Sequence, residues 1–380
     1  MTNPSDSLLV IDGHVDVAGQ GVAFTFPLDQ ALAGGLAAAV VPARAGRIPR
    51  SASPDAGLSE LDATHKAVLD AIEQSRGNAE LATTPQDVGT NAAKGVFSFI
   101  LGFQNARPLT GLADIQRWVD QGVSIFDFGF IGDNQWVKSA RPYPSANVGG
   151  EFDGISDSTV RAIELLNARG VIVDTAQVSV RARQRIVEAS RAPVLASHNG
   201  LRAQAGQADR TIADHEIRLI AERGGVVQLV AFDGYLTARG DDPKVVADVR
   251  ELRERFGLPG FRGPQDYYAV LDPETASWDE EKFAAYFAEY HAKVRHGWPR
   301  SDVERLADAV DHVIALVGVD HVGVASDFNH GGGIAGWLDH AQTPGLVAAL
   351  RRRHGDQDVA RILGGNLLRL WGDVREAASR

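Results

Sequence analysis

Hydrophobic and polar positions follow two rhythms along this chain. Short apolar runs rich in Val, Ile and Phe stand at Leu8–Gly13, Ala37–Pro42, Gly95–Gly102, Val123–Phe130, Gly170–Thr175, Ala192–Ser197, Gly224–Ala231 and His321–Ser326, each about strand length. Between most of them lie stretches such as Ser158–Arg169, Ala182–Ser190, Asp214–Arg223 and Arg300–Gly318, where apolar residues recur every three or four positions, as one face of a helix requires. Strand then helix, eight times over, predicts an α/β protein folded as a (β/α)8 TIM barrel. Two connections exceed a simple turn. Ala43–Glu60 is rich in Pro, Ser and Gly and reads as a loop. Tyr235–Pro299, after strand seven, carries a charged and aromatic helical stretch at Trp278–Arg295, and either covers the barrel mouth or packs on itself. No low-complexity tract or domain break interrupts the alternation, so residues 1–380 read as one barrel domain with an insertion at 235–299.

A single barrel with insertions accommodates the 380 residues, since roughly 250 is typical for the fold and longer examples are common. The formal charge of −11, from 49 acidic and 38 basic residues without long like-charge runs, gives no footprint for nucleic acid or an acidic membrane. Small-molecule substrates stay open. The absence of cysteine removes disulfides, thiolate metal sites and cysteine nucleophiles, so any metal must use His, Asp, Glu or amide oxygens. Met1 to Leu9 lacks a basic start followed by an apolar core, and nowhere do eighteen apolar residues run together; the expectation is a cytoplasmic protein without a membrane span.

In such barrels the chemistry gathers where strands end. Strand one ends in Asp12-Gly13-His14-Val15-Asp16, strand three in Gly102-Phe103-Gln104-Asn105, strand five in Asp174-Thr175-Ala176-Gln177, strand six in Ser197-His198-Asn199 and strand eight in Ser326-Asp327-Phe328-Asn329-His330. His14 and Asp16, two apart on a strand, share a face and can grip one cation. Alone, the pair is better explained by a turn cap and an ordinary hydrogen bond, and His198 and Asp327 taken singly are reasonably explained as a strand-closing hydrogen-bonder and a cap. Together at one mouth, His14, Asp16, His198 and Asp327 form a first shell suited to zinc or a similar divalent ion.

The strings Val10 to Asp16, Ala192 to His198, Arg210 before an acidic helix start, Gly318 to Phe328 and Gly364 to Trp371, kept in order from about residue 8 to residue 372, resemble the renal, or membrane, dipeptidase family of the amidohydrolase superfamily. The resemblance implies a zinc hydrolase of dipeptides, usually with two ions bridged by a glutamate, and a homodimer. It implies that His14 and Asp16 bind the first metal, that His198 binds the second, that Arg210 holds a substrate carboxylate and that Asp327 serves the substrate amine and the catalytic proton. The chain departs from the family at several places. Gln104 stands for the bridging glutamate and Gln177 for the other second-metal histidine. Phe130 stands where strand four should supply a substrate-contacting histidine, Asp233 for a tyrosine after strand seven, and Asn329 for the second aspartate of the last motif.

An amide is a poorer ligand than carboxylate or imidazole, so one metal at most is expected, held by His14, Asp16 and His198 with Asp327 as ligand or base. Asp327 and His198 are then the catalytic residues, and Arg210, Gln104, Gln177, Phe130, Asp233 and Asn329 the substrate contacts. The first expectation is a dipeptidase-like metal-dependent amidohydrolase of shifted specificity acting on a small carboxylate-bearing amide. The alternatives are non-hydrolytic acid–base chemistry without a full metal centre (isomerisation, elimination or condensation) and a catalytically silent ligand-binding barrel. His65, His291, His296, His312, His321, His340 and His354 read as surface or packing residues. His330 and Asp127 are reserve ligands, the latter if strand four is read one residue out of phase.

Overall fold

Parallel strands cannot be joined by tight turns, so each apolar run needs a crossover helix before the next. The structure, a computed structural model, describes residues 8–16, 26–45, 54–141, 149–206, 210–237, 243–260, 275, 278–295, 301–329 and 331–380. Its strands are β1 Val10–Asp12, β2 Leu36–Arg44, β3 Ala79–Ala82, β4 Phe97–Gln104, β5 Ile125–Asp127, β6 Ile172–Asp174, β7 Leu195–Leu201, β8 Thr211–Ile212, β9 Val226–Val230 and β10 Val322–Ala325. They pair in the order β1-β2-β4-β5-β6-β7-β9-β10, with every ladder parallel. These are the eight predicted runs. The barrel closes at the C-terminal ends of its first and last strands, where Gly13 N–H donates to Val324 O (3.2 Å) and Asp327 N–H to His14 O (2.9 Å). The short strands β3 and β8 are additions, pairing with the start of β4 and the end of β7.

Side chains alternate across the barrel wall. Ile11, Val40, Ile100, Ile125, Ile172, Leu195 and Val226 fill the interior, and Leu367, Leu370 and Trp371 of the helix Asn366–Ala378 pack against them. That helix plugs the N-terminal end, where Asn366 Nδ2 donates to the carbonyl of Val322 at the start of β10 (2.8 Å). Phe99, Leu101, Phe126, Val173 and Leu229 face outward into the larger core under the helices.

One expectation needs correction. Ala43–Glu60 is not one loop: β2 runs on to Arg44, and a helix begins at Pro54. Within 235–299, helices Pro243–Arg255 and Glu280–Glu289 are described, the second continuing as a wider turn, Tyr290–Arg295. Val245, Val249, Leu252, Tyr286 and Tyr290 make a small core of their own there.

Candidate active site

Three barrel strands end in aspartate, and each carboxylate accepts the N–H two residues on: Asp12 from His14 (3.2 Å), Asp127 from Gly129 (2.8 Å) and Asp174 from Ala176 (3.0 Å). These turns stop the strand and reverse the chain into the mouth. A serine secures two of them, Ser326 Oγ donating to Asp12 and Ser197 Oγ to Asp174. The residue after each serine, Asp327 or His198, is thereby aimed.

Because the Ser197 hydroxyl gives its proton to Asp174, it can only accept from His198 Nδ1, 2.6 Å away. His198 is therefore protonated on Nδ1, and its Nε2 presents a lone pair. That lone pair meets the amide nitrogens of Gln177 (3.0 Å) and Gln104 (3.5 Å). The Gln177 backbone is itself held by Asp127, whose Oδ2 accepts its N–H at 3.2 Å.

The His14 ring stacks on His198 with centroids 3.7 Å apart. Burial, with the Arg210 and Arg44 guanidiniums nearby, lowers its pKa to about 3, so the imidazole is neutral at physiological pH. Asp16 Oδ1 lies 3.8 Å from His14 Nε2, and its Oδ2 pairs with Arg44 at 3.2 Å. Burial raises the Asp16 carboxyl and Arg44 opposes the rise. Asp327 completes a buried triad with His14 and Asp16, their ligand atoms all within 4.8 Å of one another. Asp327 sits at φ 53°, a left-handed conformation uncommon outside glycine. The tight return that holds it, Gly332 N–H to Asp327 O at 2.7 Å, needs glycine: a Cβ there would lie 1.8 Å from Ser326 O.

Three arginines rim the site. Arg210 is buried rather than solvated, donating to Ala176 O (3.0 Å) and His198 O (2.7 Å); burial and then Arg141 lower its pKa to about 10. Its guanidinium lies over Tyr235, 5.9 Å from the ring centroid, and Arg141 donates to the Tyr235 hydroxyl at 2.6 Å. Gly200 leaves room for this tyrosine, since a Cβ would meet Tyr235 Cβ at 2.4 Å. Arg44 lies 5.7 Å from the ring centroid of Phe130.

The structure thus brings His14, Asp16, Gln104, Phe130, Gln177, His198, Arg210 and Asp327 to one mouth. Asp233 instead accepts the Ser301 N–H (2.7 Å), and Tyr235, two residues on, brings the aromatic ring to the arginines. Asn329 clips the Asp16 backbone through its Nδ2 (2.7 Å). Asp127 is turned to backbone N–H groups, outside the cation triad; burial and the neighbouring Asp174 push its carboxyl well above the usual range. His340 is not a surface residue: it is buried, 2.8 Å from Asp12 and edge-on to Phe328. His296 and His330 lie outside the described residues. Arg44, Arg141 and Tyr235 escaped the sequence reading. Arg44 alone carried a signal, since extending strand two by two residues reaches it.

The donor set of His14, Asp16 and Asp327 fits one divalent ion: one imidazole nitrogen and two carboxylates, all buried. In the other half of the mouth the Gln177 and Gln104 amides face His198 Nε2, and Arg44 engages the second oxygen of Asp16.

Residues 10–380 match the family profile described as membrane dipeptidase, peptidase family M19. The probable dipeptidase PvdM from Pseudomonas aeruginosa is 31% identical in its crystal structure, with a TM-score of 0.84 over 98% of this chain and 97% of that one. A metallopeptidase from Rhodobacter sphaeroides, liganded with a phosphinate mimic of L-Ala-D-Ala, shares the fold at 17% identity and a TM-score of 0.70, over 97% of this chain and 99% of that one. Dipeptidase aclJ of Aspergillus oryzae is 23% identical over 75% of this chain and 53% of its own length. Dipeptidase 3 of Rattus norvegicus is 21% identical over 74% and 46% respectively. The chain thus spans about half the length of these curated relatives. The barrel, the ordered strand-end residues and the match over almost the whole chain place this protein in the membrane dipeptidase family, M19.

Proposed function

We propose that the protein is a single-metal amidohydrolase that cleaves a small, carboxylate-bearing amide or dipeptide-like substrate. The observation that carries the proposal is the buried triad of His14, Asp16 and Asp327 beside an arginine rim. Zinc suits this donor set. A divalent ion bound there would supply Lewis acidity and make water easier to deprotonate. Asp327 accepts the proton of the attacking water and returns it to the leaving nitrogen, so that the C–N bond breaks to give a carboxylate and an amine. His14 is neutral and keeps its lone pair for coordination. Gln104 and Gln177 offer N–H groups to a developing oxyanion, and Arg210 orients the substrate carboxylate. The phosphinate dipeptide mimic in the Rhodobacter protein accords with a small substrate at such a mouth.

One observation favours a second reading. The buried Nε2 lone pair of His198, faced by neutral amides, is a base suited to proton transfer without hydrolysis.

Elemental analysis of protein purified without chelators separates the two. The hydrolase reading expects about one equivalent of metal, lost in His14→Ala and kept in His198→Ala. Near-zero metal in the parent protein overturns it in favour of the second reading.

A further inference from the structure

The three strand-end aspartates are not equally supported. Asp127 accepts backbone N–H groups, from Gly129 and Gln177, and Asp174 adds the Ser197 hydroxyl to its backbone donors. Asp12 has both kinds of donor and a third. Its Oδ1 accepts the N–H groups of His14 (3.2 Å) and Ser326 (2.8 Å), and its Oδ2 accepts the Ser326 hydroxyl and Nε2–H of His340 (2.8 Å). A carboxylate only accepts, so the His340 ring carries a proton on Nε2. The support grows with what each turn carries. The turn at Asp127 presents no member of the buried triad, and that at Asp174 is joined through Ser197 to His198. Asp12 holds the N–H of one triad member, His14, and both the N–H and the hydroxyl of the residue before another, Asp327.

His340 reaches this carboxylate from outside the barrel. It opens the short turn His340–Gln342, where Thr343 Oγ1 donates to its carbonyl (2.7 Å) and Trp337 Nε1 donates to that hydroxyl (3.1 Å). The ring is buried between Phe26 and Phe328, with centroids 5.4 and 5.0 Å away. Such an aromatic box suits phenylalanine equally well. Histidine brings a cost there, because its Nδ1 has no hydrogen-bond partner among the described residues. What it adds over phenylalanine is the N–H given to Asp12.

From Asp12 the effect reaches both sides of the joint between the first and last strands. Ser326 Oγ, having given its proton to Asp12, accepts the N–H of Phe328 (3.1 Å), while the Asp327 N–H donates to the His14 carbonyl (2.9 Å). Asp327, at its left-handed φ of 53°, is thus bracketed by backbone that is held to Asp12. Without His340 the second oxygen keeps the serine hydroxyl alone, and the carboxylate is freer to turn about its Cβ–Cγ bond, loosening both strand ends at once.

We propose that His340 is a positioning residue of the metal site, holding His14 and Asp327 in register through Asp12 without belonging to the ligand set. The proposal rests on the single-metal reading of the mouth for what is positioned.

The test is cobalt(II) binding to the protein after its metal is removed, with the dissociation constant read by competition against a chelator and the ligand geometry by visible absorption. His340→Phe keeps the aromatic packing and should weaken cobalt binding ~10-fold or more, with a changed band shape, as loss of a group that orients metal ligands does. His340→Gln returns an N–H to Asp12 and should recover most of the affinity and the parent band shape. A histidine needed only for packing predicts the opposite order, with phenylalanine harmless and the glutamine amide disruptive in an aromatic box. Parent affinity and band shape in His340→Phe overturn the proposal, as does His340→Gln binding no better than His340→Phe. If His340→Phe does not fold, the parent decides: its His340 Nε2–H proton resonance should shift when cobalt or zinc is added, and an unmoved resonance overturns the proposal. The expected order of variants in a protein that cleaves no N-acyl amino acid or dipeptide leaves the proposal standing and counts against the hydrolase reading. Amide cleavage by a parent whose cobalt affinity is untouched by His340→Phe does the reverse, and a parent that takes up no cobalt overturns both.

Discussion

Ser197→Ala isolates the device that sets the protonation of His198. The hydroxyl makes two buried hydrogen bonds, donating to Asp174 Oδ2 and accepting from His198 Nδ1. A bond to a charged group contributes ~1.5–3 kcal/mol and a neutral one ~0.5–1.5 kcal/mol, so the loss should be roughly 2–4 kcal/mol in urea denaturation. Asp174 Oδ1 keeps the N–H groups of Ala176 and residue 197, both at 3.0 Å, so the strand-end turn survives. The deficit should depend on pH. Burial raises the Asp174 carboxyl above its ordinary value, and the serine hydroxyl is the foremost influence lowering it. Without that hydroxyl the folded-state pKa rises further. A carboxyl with a raised folded pKa contributes stability that is present below its unfolded value and lost as pH rises through the folded one. The variant should therefore fall further behind the parent as pH rises above the ordinary carboxylate range. Nitrogen-15 spectra of the imidazole add a direct check: the parent shows His198 protonated on Nδ1, the variant a mixture. A pH-independent deficit below ~0.5 kcal/mol, or a parent protonated on Nε2, would refute the reasoning.

Two further outcomes are expected. Gln104→Glu combined with Gln177→His gives the second half of the site an anion and an imidazole; metal content should rise from about one equivalent to about two by elemental analysis, and no gain would mean that more than the amides excludes the second ion. Gly13→Ala places a Cβ 2.4 Å from the Gln228 amide inside the barrel, and should cost ~1–3 kcal/mol by denaturant titration, with Gln228→Ala in the same chain recovering part of the loss.

The barrel was legible because its period is coarse: a run such as Ala192–Ser197 followed by an amphipathic stretch is visible without knowing where either ends. β8 was not, because two residues held by Gly200 and Leu201 carry no hydrophobic rhythm. The four polar residues expected as a metal shell do share the mouth, yet its electrostatics were hidden. Arg44 lay just past the expected end of a strand. Arg141 follows Phe130 by eleven positions and reaches the rim through the hydroxyl of Ser139, a contact without sequence periodicity. Tyr235 was overlooked because the tyrosine that the resemblance implies after strand seven was matched to Asp233, two residues before it. His340 was assigned to the surface from its polar neighbours, whereas Asp12, 328 positions away in sequence, draws it inside.

The seam where the barrel closes has a consequence for when the protein becomes competent. His14 and Asp16 come from the first strand end and Asp327 from the last; the Asn329 clip onto Asp16 spans 313 positions. The triad therefore does not exist on a partly synthesised chain, however well its early strands have formed. It appears only when the final strand docks beside the first. An ion captured there would act as a clasp across the last joint to be made, so metal uptake would report completion of the barrel and would slow its reopening.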